Sequence, residues 1–182
     1  LKDIDRSEAS AQDTIYRIYS MTKPVTAVAM MVLWDRGLWS PDDPIARHLP
    51  EFADVTLGGG GAPSHSPTMR ELMTHTAGLG YGFDPSEPTD AAYIAEGVWQ
   101  AADLADMMRR LSRAPLAYDP GSRWRYSISM DVQGAIIERL TGRTLPDFMR
   151  EEVFAPLGMV DTDFFVPGAK MARLATLYRR SK

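Results

Sequence analysis

The sequence predicts a chain made mostly of α-helices. Several segments place apolar residues at helical spacing, whereas strand signals are confined to two short stretches. Hydrophobic residues make up 45% of the chain and charged residues 24%, which is typical of a folded globular protein rather than a disordered one. The length of 182 residues corresponds to one domain or to part of a larger one, since domains contain roughly 100–200 residues.

The best-defined helices have recognisable ends. Residues 25–33 are apolar on nearly every face and predict a buried helix, and Gly37 supplies a left-handed cap after it. Thr68 and Glu71 form a capping-box pattern that opens a short helix through Met73. Further segments with helical spacing are residues 104–111, 132–140, 145–153 and 171–178, and the strand signals are residues 14–19 and 123–128.

Composition argues against several classes of function. A net charge of −4 and a pI of 5.4 leave no excess of basic surface for phosphates, so a nucleic-acid partner is not expected. The chain has no cysteine, and His48, His65 and His75 lack the spacing of metal ligands, so no disulfide, metal or cofactor is expected. His75 is expected instead to tie its loop by hydrogen bonds. The longest apolar run, residues 25–34, has about half the length of a membrane span.

The first candidate for chemistry is Ser20-Met21-Thr22-Lys23, at the start of the apolar helix. A serine hydroxyl becomes a good nucleophile when a neighbouring group removes its proton. Lys23 follows at a spacing of three, so its amine can reach the hydroxyl, and an apolar setting disfavours the ammonium form. Pro24 disfavours helical geometry at Lys23, so a tight or 3₁₀ turn is expected here. The alternative is a helix cap followed by a solvated lysine.

The second candidate is Tyr126, which follows a Pro120-Gly121 turn and Trp124. A tyrosine beside a serine and a lysine can accept or pass on a proton when positive charge lowers its pKa from about 10. A tyrosine in such a position is otherwise more often a packing residue. Each candidate is a weak indication of catalysis by itself, and the two are informative only in combination.

Several segments, taken in chain order, resemble the serine β-lactamase and penicillin-recognising family, on the branch of the class C β-lactamases and family VIII carboxylesterases. The segments are Ser-Met-Thr-Lys at 20–23, Leu-Met-Thr-His-Thr-Ala-Gly-Leu at 72–79, Pro-Gly-Ser-Arg-Trp-Arg-Tyr-Ser at 120–127 and Pro-Leu-Gly-Met at 156–159. The resemblance extends over about residues 13–177. Several motifs in the right order are far more specific than any one of them.

The resemblance implies an α/β fold of the β-lactamase/transpeptidase type, with an antiparallel sheet flanked by helices and a helical region. The chain is expected to supply mostly the helical region and to lack the C-terminal strands. The family's third motif, a Lys or His followed by Ser or Thr and Gly, is absent from the chain. We therefore expect residues 1–182 to be part of a domain truncated at both ends. We also expect the isolated chain to have little activity.

The resemblance also implies roles for individual residues. Ser20 matches the acylated nucleophile, Lys23 the base, and Tyr126 the tyrosine that shares in proton transfer, while the backbone N–H of Ser20 would donate to the oxyanion hole. Tyr81 falls in a substrate-lining loop. Ile128 stands where β-lactamases have an asparagine that helps to bind the substrate. Because isoleucine offers no hydrogen bond, this position favours ester hydrolysis.

The expected function is therefore hydrolysis of a carboxylic ester through an acyl-enzyme, with a small-molecule ester or amide as substrate. The alternatives are a β-lactamase, a D-alanyl-D-alanine peptidase, an amide hydrolase, an acyltransferase, and a non-catalytic penicillin-binding or sensor protein. No nucleic acid or membrane is expected as a partner, and the oligomeric state is open. No signal peptide is visible. Family VIII carboxylesterases commonly lack export signals, so the resemblance implies a cytoplasmic location, with the periplasm as the alternative.

Overall fold

The computed structural model describes residues 1–179, and the regular structure in this range is helical. The α-helices are α1 (Thr22–Asp35), α2 (Ile45–His48), α3 (Met69–Met73), α4 (Pro88–Ala95), α5 (Leu104–Leu111), α6 (Ser129–Thr141) and α7 (Leu145–Met149). Short 3₁₀ turns occupy Tyr19–Met21, Pro50–Phe52, Val98–Gln100 and Gly168–Arg173, and a π turn occupies Arg150–Phe154. Extended segments within residues 1–179 make only isolated β-bridges. No helix in this range combines the length and apolar composition of a membrane span.

The core is built around the contact between α1 and α6, which are the two longest helices. The helices α3, α5 and α7 also pack against α6. The fully buried apolar residues of α1 and α6 are Ala29, Met30, Leu33, Val132, Ile136 and Ile137. Burial of one large apolar side chain contributes about 1.5–3 kcal/mol, so this contact fixes α1 relative to α6. The buried helix predicted over residues 25–33 is confirmed.

The end of α6 and the start of α7 are fixed by backbone geometry. Gly142 caps α6 in the left-handed conformation, with φ +67°, which favours glycine because it has no Cβ. Within α6, a Cβ on Gly134 would lie 2.8 Å from Cδ2 of Leu145. The missing side chain therefore lets α7 lie close against α6. The helices predicted over residues 132–140 and 145–153 are present, although the second continues as the π turn.

The capping box predicted for α3 is present. The hydroxyl of Thr68 accepts the backbone N–H of Glu71 at 3.3 Å, and the carboxylate of Glu71 accepts the backbone N–H of Thr68 at 2.8 Å. These bonds satisfy two donors that a helix start leaves without intrahelical partners. The carboxylate of Glu71 also contacts the His65 ring at 2.8 Å, so the box joins α3 to the loop before it.

The helix predicted over residues 171–178 is wrong. A 3₁₀ turn over Gly168–Arg173 is followed by extended chain, whose backbone pairs with the N-terminal segment. The N–H of Ile15 donates to the carbonyl of Arg173 at 2.9 Å, and the N–H of Ala175 donates to the carbonyl of Ile15 at 2.8 Å. Backbone groups that bond across the molecule are no longer free to form a helix. The expected continuation of this helix to the chain end concerns residues 180–182, which lie outside the described residues.

Neither strand signal becomes part of a sheet within residues 1–179, although residues 123–127 contain no helix or turn, which agrees with the short extended stretch expected there. Residues 14–19 make one isolated bridge, between Ile15 and Leu174, and residues 123–128 make none. A strand needs a neighbour with which to exchange a ladder of hydrogen bonds, and neither segment has one within residues 1–179. Two short helices, α2 and α4, were not predicted. The buried residues of α4 include Thr89 and Asp90, so its buried face has no apolar periodicity to reveal it.

We predict that Thr68→Ala lowers the free energy of unfolding by about 1 kcal/mol, because a backbone donor of α3 loses its acceptor. Urea unfolding measures the loss. Thr68→Ser keeps the hydroxyl and serves as the matched control, with stability close to that of the starting protein. Equal stability of the alanine and serine variants would contradict the assigned role of the capping box.

Candidate active site

Ser20 and Lys23 meet at the start of α1. Ser20 lies in the 3₁₀ turn Tyr19–Met21, and the Lys23 ammonium donates to its Oγ at 3.4 Å. The expected 3₁₀ turn before the helix is therefore confirmed. Tyr19, which precedes the serine, has φ +45°. This is a strained conformation for a bulky residue. The chain thus adopts an unfavourable backbone geometry where the hydroxyl of Ser20 is exposed.

Tyr126 approaches the same hydroxyl from the segment before α6. Its phenolic oxygen lies 2.7 Å from Ser20 Oγ, and Lys23 Nζ lies 4.5 Å from the centre of its ring. The nearby Lys23 ammonium, and then the hydrogen bond with Ser20, hold the pKa of the Tyr126 phenol below its ordinary value of 10. Positive charge favours the phenolate. The three residues singled out from separate sequence motifs therefore come together within hydrogen-bonding range of one oxygen atom.

His75 packs on Tyr126. The two rings stack with centroids 5.3 Å apart, and Nδ1 of His75 accepts the backbone N–H of Ser127 at 3.2 Å. The same nitrogen lies 3.0 Å from Ser127 Oγ, so the expectation that His75 ties its loop by hydrogen bonds is confirmed. Burial, and then the charge of Lys23, lower the pKa of His75. The ring is therefore neutral at pH 7, and its unprotonated Nδ1 is the acceptor.

The backbone at His75 is unusual, because its φ is +59°. In this left-handed region, residues other than glycine, asparagine, aspartate and histidine are rare. The conformation lets the carbonyl of His75 accept two hydrogen bonds, from the N–H of Arg125 at 3.0 Å and from the hydroxyl of Tyr118 at 3.3 Å. The turn at residue 75 is thereby joined to the segment that carries Tyr126.

Of the two expected substrate contacts, the structure places one at the site. The ring of Tyr81 is stacked on that of Tyr126, with centroids 5.4 Å apart and planes inclined by 3°, and Lys23 Nζ lies 5.6 Å from its centre. Ile128, by contrast, has 0% of its surface exposed and belongs to the core. Its backbone N–H donates to the carbonyl of Gly80 at 2.9 Å. Ile128 thus has no side-chain surface with which to contact a substrate, and the proposed site does not include it.

Asp90 holds the loop that carries Tyr81, and sequence reasoning missed it. This carboxylate, in α4, is 1% exposed. It accepts the backbone N–H groups of Tyr81, Phe83 and Asp84 at 3.0–3.1 Å, together with the Arg125 guanidinium at 3.1 Å. Because Arg125 precedes Tyr126, one carboxylate joins the Tyr81 loop to the Tyr126 segment. No sequence signal marks this role, since most of its partners are backbone groups.

The described site consists of a hydroxyl, an amine and a phenol, with an imidazole behind the phenol. Within residues 1–179, no group of three or more His, Asp and Glu side chains is placed to hold a metal ion. The arrangement can remove a proton from Ser20 and return it to a leaving group.

Comparison with known proteins places the chain in a family. The model of the family described as Beta-lactamase matches residues 1–182. The chain belongs to the beta-lactamase family. The fold is accordingly of the β-lactamase/transpeptidase type, and the described residues form mostly the helical part of it.

Relatives within this family include esterases and acyltransferases. Esterase EstB of Burkholderia gladioli is 39% identical over 183 residues, which are 98% of this chain and 45% of that protein. Monacolin J acid methylbutanoyltransferase of Aspergillus terreus is 33% identical over 161 residues, covering 84% of this chain and 38% of that protein. The chain thus spans less than half the length of these relatives.

Solved structures agree with the family assignment. The structure of "EstCE1, a hydrolase with promiscuous acyltransferase activity" is 31% identical and superposes with a TM-score of 0.87, covering 100% of this chain and 47% of that one. A β-lactamase/D-alanine carboxypeptidase from Yersinia pestis has a TM-score of 0.73 at 23% identity, covering 97% of this chain and 48% of that one. The second comparison shows the shared fold alone.

We predict that Asp90→Asn lowers the free energy of unfolding by about 3 kcal/mol at pH 7, because it breaks a buried ion pair and replaces an acceptor by a donor. Burial acts to raise the pKa of Asp90, but the backbone N–H groups of the Tyr81 loop, together with Arg125, outweigh it and lower that pKa.

The sign of the pH dependence follows from this lowered pKa. The stabilisation by Asp90 is complete above the unfolded value of about 3.9 and is lost as the pH falls through the folded value. The difference between the two proteins in urea unfolding should therefore shrink below about pH 4. Asp54→Asn, at an exposed aspartate, is the control and should have little effect. A loss at Asp90 that is equal at pH 7 and pH 3 would contradict this assignment.

Proposed function

We propose that the protein is a serine hydrolase that cleaves small carboxylic esters through an acyl-enzyme on Ser20. The observation that carries the proposal is the meeting of three groups at one oxygen: Lys23 Nζ at 3.4 Å and the Tyr126 hydroxyl at 2.7 Å from Ser20 Oγ. An exposed serine with two proton-transfer groups is the arrangement that activates a nucleophile. The esterase and acyltransferase names of the relatives support the same chemistry.

The proposed reaction has two halves. The reaction starts from the form in which the Lys23 amine is unprotonated. Ser20 Oγ attacks the ester carbonyl carbon as its proton moves to that amine, either directly or through Tyr126. The tetrahedral oxyanion accepts the backbone N–H of Ser20. When the carbon–oxygen bond to the alcohol breaks, the stored proton passes to the leaving oxygen. Water then loses a proton to the same groups, attacks the acyl carbon and releases the acid, and Ser20 regains its proton.

Acyl transfer is the second candidate. Here an alcohol takes the place of water in the second half of the reaction, and the same groups remove its proton. The names of two relatives favour it, one a methylbutanoyltransferase and one a hydrolase with promiscuous acyltransferase activity. β-Lactam hydrolysis is a third candidate, because the burial of Ile128 removes the side chain on which the sequence favoured an ester over a β-lactam. An amide hydrolase, a D-alanyl-D-alanine peptidase and a non-catalytic binding protein complete the alternatives.

We further propose that residues 1–182 are part of a longer catalytic domain. The support is the length of the relatives, of which the chain covers less than half. The rest of the domain would supply the third family motif and a second oxyanion donor. The experiments below therefore use the natural full-length protein. A cytoplasmic location and a small-molecule substrate stay predictions.

We predict that a short-chain p-nitrophenyl ester adds one acyl group to the protein, and that Ser20→Ala abolishes this labelling because the attacking oxygen is gone. Intact mass measured shortly after mixing gives the answer. Ser10→Ala, at an exposed serine that contacts Tyr16, is the matched control and should label normally. Labelling that persists in Ser20→Ala would contradict the proposal.

The same assay separates the alternatives. Steady turnover of the ester with little turnover of nitrocefin indicates an esterase, and the reverse indicates a β-lactamase. Transfer of the acyl group to an added alcohol indicates an acyltransferase. Labelling that stops after one equivalent indicates a binding or sensor protein.

We predict that Tyr126→Phe lowers kcat by about 10²–10⁴-fold, the usual contribution of a proton-transfer group, while the protein stays folded. Stopped-flow and steady-state ester hydrolysis measure the effect. Tyr16→Phe removes a hydroxyl that contacts Ser10 at 2.9 Å and should leave kcat unchanged. If Tyr126→Phe retains the full rate, the phenol takes no part in proton transfer.

A further inference from the structure

A row of aromatic rings leads away from the reactive hydroxyl. It starts at Tyr126, continues to Tyr81 at a centroid distance of 5.4 Å, and reaches Phe83 at 4.2 Å and Trp99 at 5.7 Å from Tyr81. The planes of successive rings are inclined by no more than 25°. We call these four residues the aromatic strip. Rings stacked in this way cover one another's inner faces, so a ligand can reach only their edges and the free faces of the exposed rings.

The outer end of the aromatic strip is open. Phe83 is 73% exposed and Trp99 is 45% exposed. Exposed aromatic rings that continue directly from a reactive group are typical of a ligand-binding surface, because bringing such rings out of water is a large source of binding energy. The inner end differs, since Tyr126 contacts Ser20 Oγ at 2.7 Å. A molecule lying on the strip would therefore have one end at the nucleophile.

The aromatic strip is held in place before any ligand arrives. Asp90 fixes the backbone of Tyr81 and Phe83 through their N–H groups. A Cβ on Gly82 would lie 2.9 Å from Nε1 of Trp99, so the indole rests directly against the backbone between the two rings. Rings that are already in position bind with little loss of conformational entropy.

Arg110 fixes the turn that carries Trp99. Its guanidinium donates to the carbonyls of Glu96 at 3.1 Å and Gly97 at 3.2 Å. Gly97, with φ +63°, immediately precedes the 3₁₀ turn Val98–Gln100, and Val98 is fully buried. Both loops that form the strip are thus anchored by buried or part-buried polar groups.

We propose that the aromatic strip binds a planar aromatic group of the ester substrate, which makes aromatic esters the preferred class. The inference rests on the proposed ester hydrolysis at Ser20. An aliphatic group would gain only from burial on this surface, whereas an aromatic group would also make a stacked or edge-to-face contact with the exposed rings of Phe83 and Trp99. The aromatic group can belong to the acyl half or to the alcohol half of the ester, and the experiment distinguishes the two.

The test uses two matched pairs of esters on the full-length protein. The acyl pair is methyl 3-phenylpropanoate and methyl 3-cyclohexylpropanoate, and the alcohol pair is 2-phenylethyl acetate and 2-cyclohexylethyl acetate. Within a pair the reacting atoms are the same and only the ring differs. We expect kcat/KM to favour the phenyl ester of at least one pair by about 2- to 12-fold, the range for one aromatic contact.

Variants then connect the preference to the strip. Phe83→Leu and Trp99→Leu keep apolar side chains but remove the rings, and each should reduce the preference towards about 1-fold. Trp34→Leu is the control, because Trp34 is 44% exposed and lies near the C-terminal end of α1. It should leave the preference unchanged. The pair that shows the effect identifies the half of the ester on the strip.

Four results would overturn the inference. Turnover of all four esters without a phenyl preference leaves the proposed function standing and removes only the aromatic strip from it. A preference that persists in both strip variants places the aromatic group elsewhere. A loss of thermal stability in Phe83→Leu without any preference shows that another part of the protein covers the strip. If none of the esters acylates Ser20, the proposed function fails and this inference fails with it.

Discussion

The packing of α1 against α6 places the groups of the site. Ser20 and Lys23 lie at the start of α1, and Tyr126 lies just before α6. Neither helix start supplies all of the groups of the site. The hydroxyl of Ser20 and the phenol of Tyr126 are 106 residues apart in sequence and meet only when the two helices pack together. Burial of the apolar residues between the two helices offsets the conformational entropy that is lost when the helices come together. The chemistry that we propose therefore depends on a hydrophobic contact that contains none of the reactive atoms.

Lys23 gives the site its electrostatic character. Its charge helps to lower the pKa of Tyr126 and also that of His75. The two shifts have opposite consequences, since the first favours a charged phenolate and the second favours a neutral imidazole. One cation therefore favours the deprotonated form of both neighbouring rings. The stacked ring of His75 can thus support Tyr126 without competing for its proton.

Sequence patterns predicted the parts of this structure whose stability is local. The helices α1, α3, α5, α6 and α7 have apolar periodicity or capping residues that act within a few positions, and each is present. The pairing of extended segments could not be predicted in this way. Whether residues 14–19 form a strand depends on a partner strand, which no local pattern reveals. The juxtaposition of Ser20, Lys23 and Tyr126 was expected from the family resemblance. Asp90 was missed because its role comes from backbone donors that every sequence has.

The left-handed backbone at His75 limits how the site can change. The position must tolerate φ +59° and also supply a flat ring with an acceptor nitrogen, and few residue types do both. Phe83 is in the opposite situation, because it lies on the surface and has no positive φ. Directed evolution towards new substrates would accordingly find variation tolerated at the outer rings and selected against beside the phenol. Backbone geometry thus restricts which residues can replace His75, whereas it places no such restriction on Phe83.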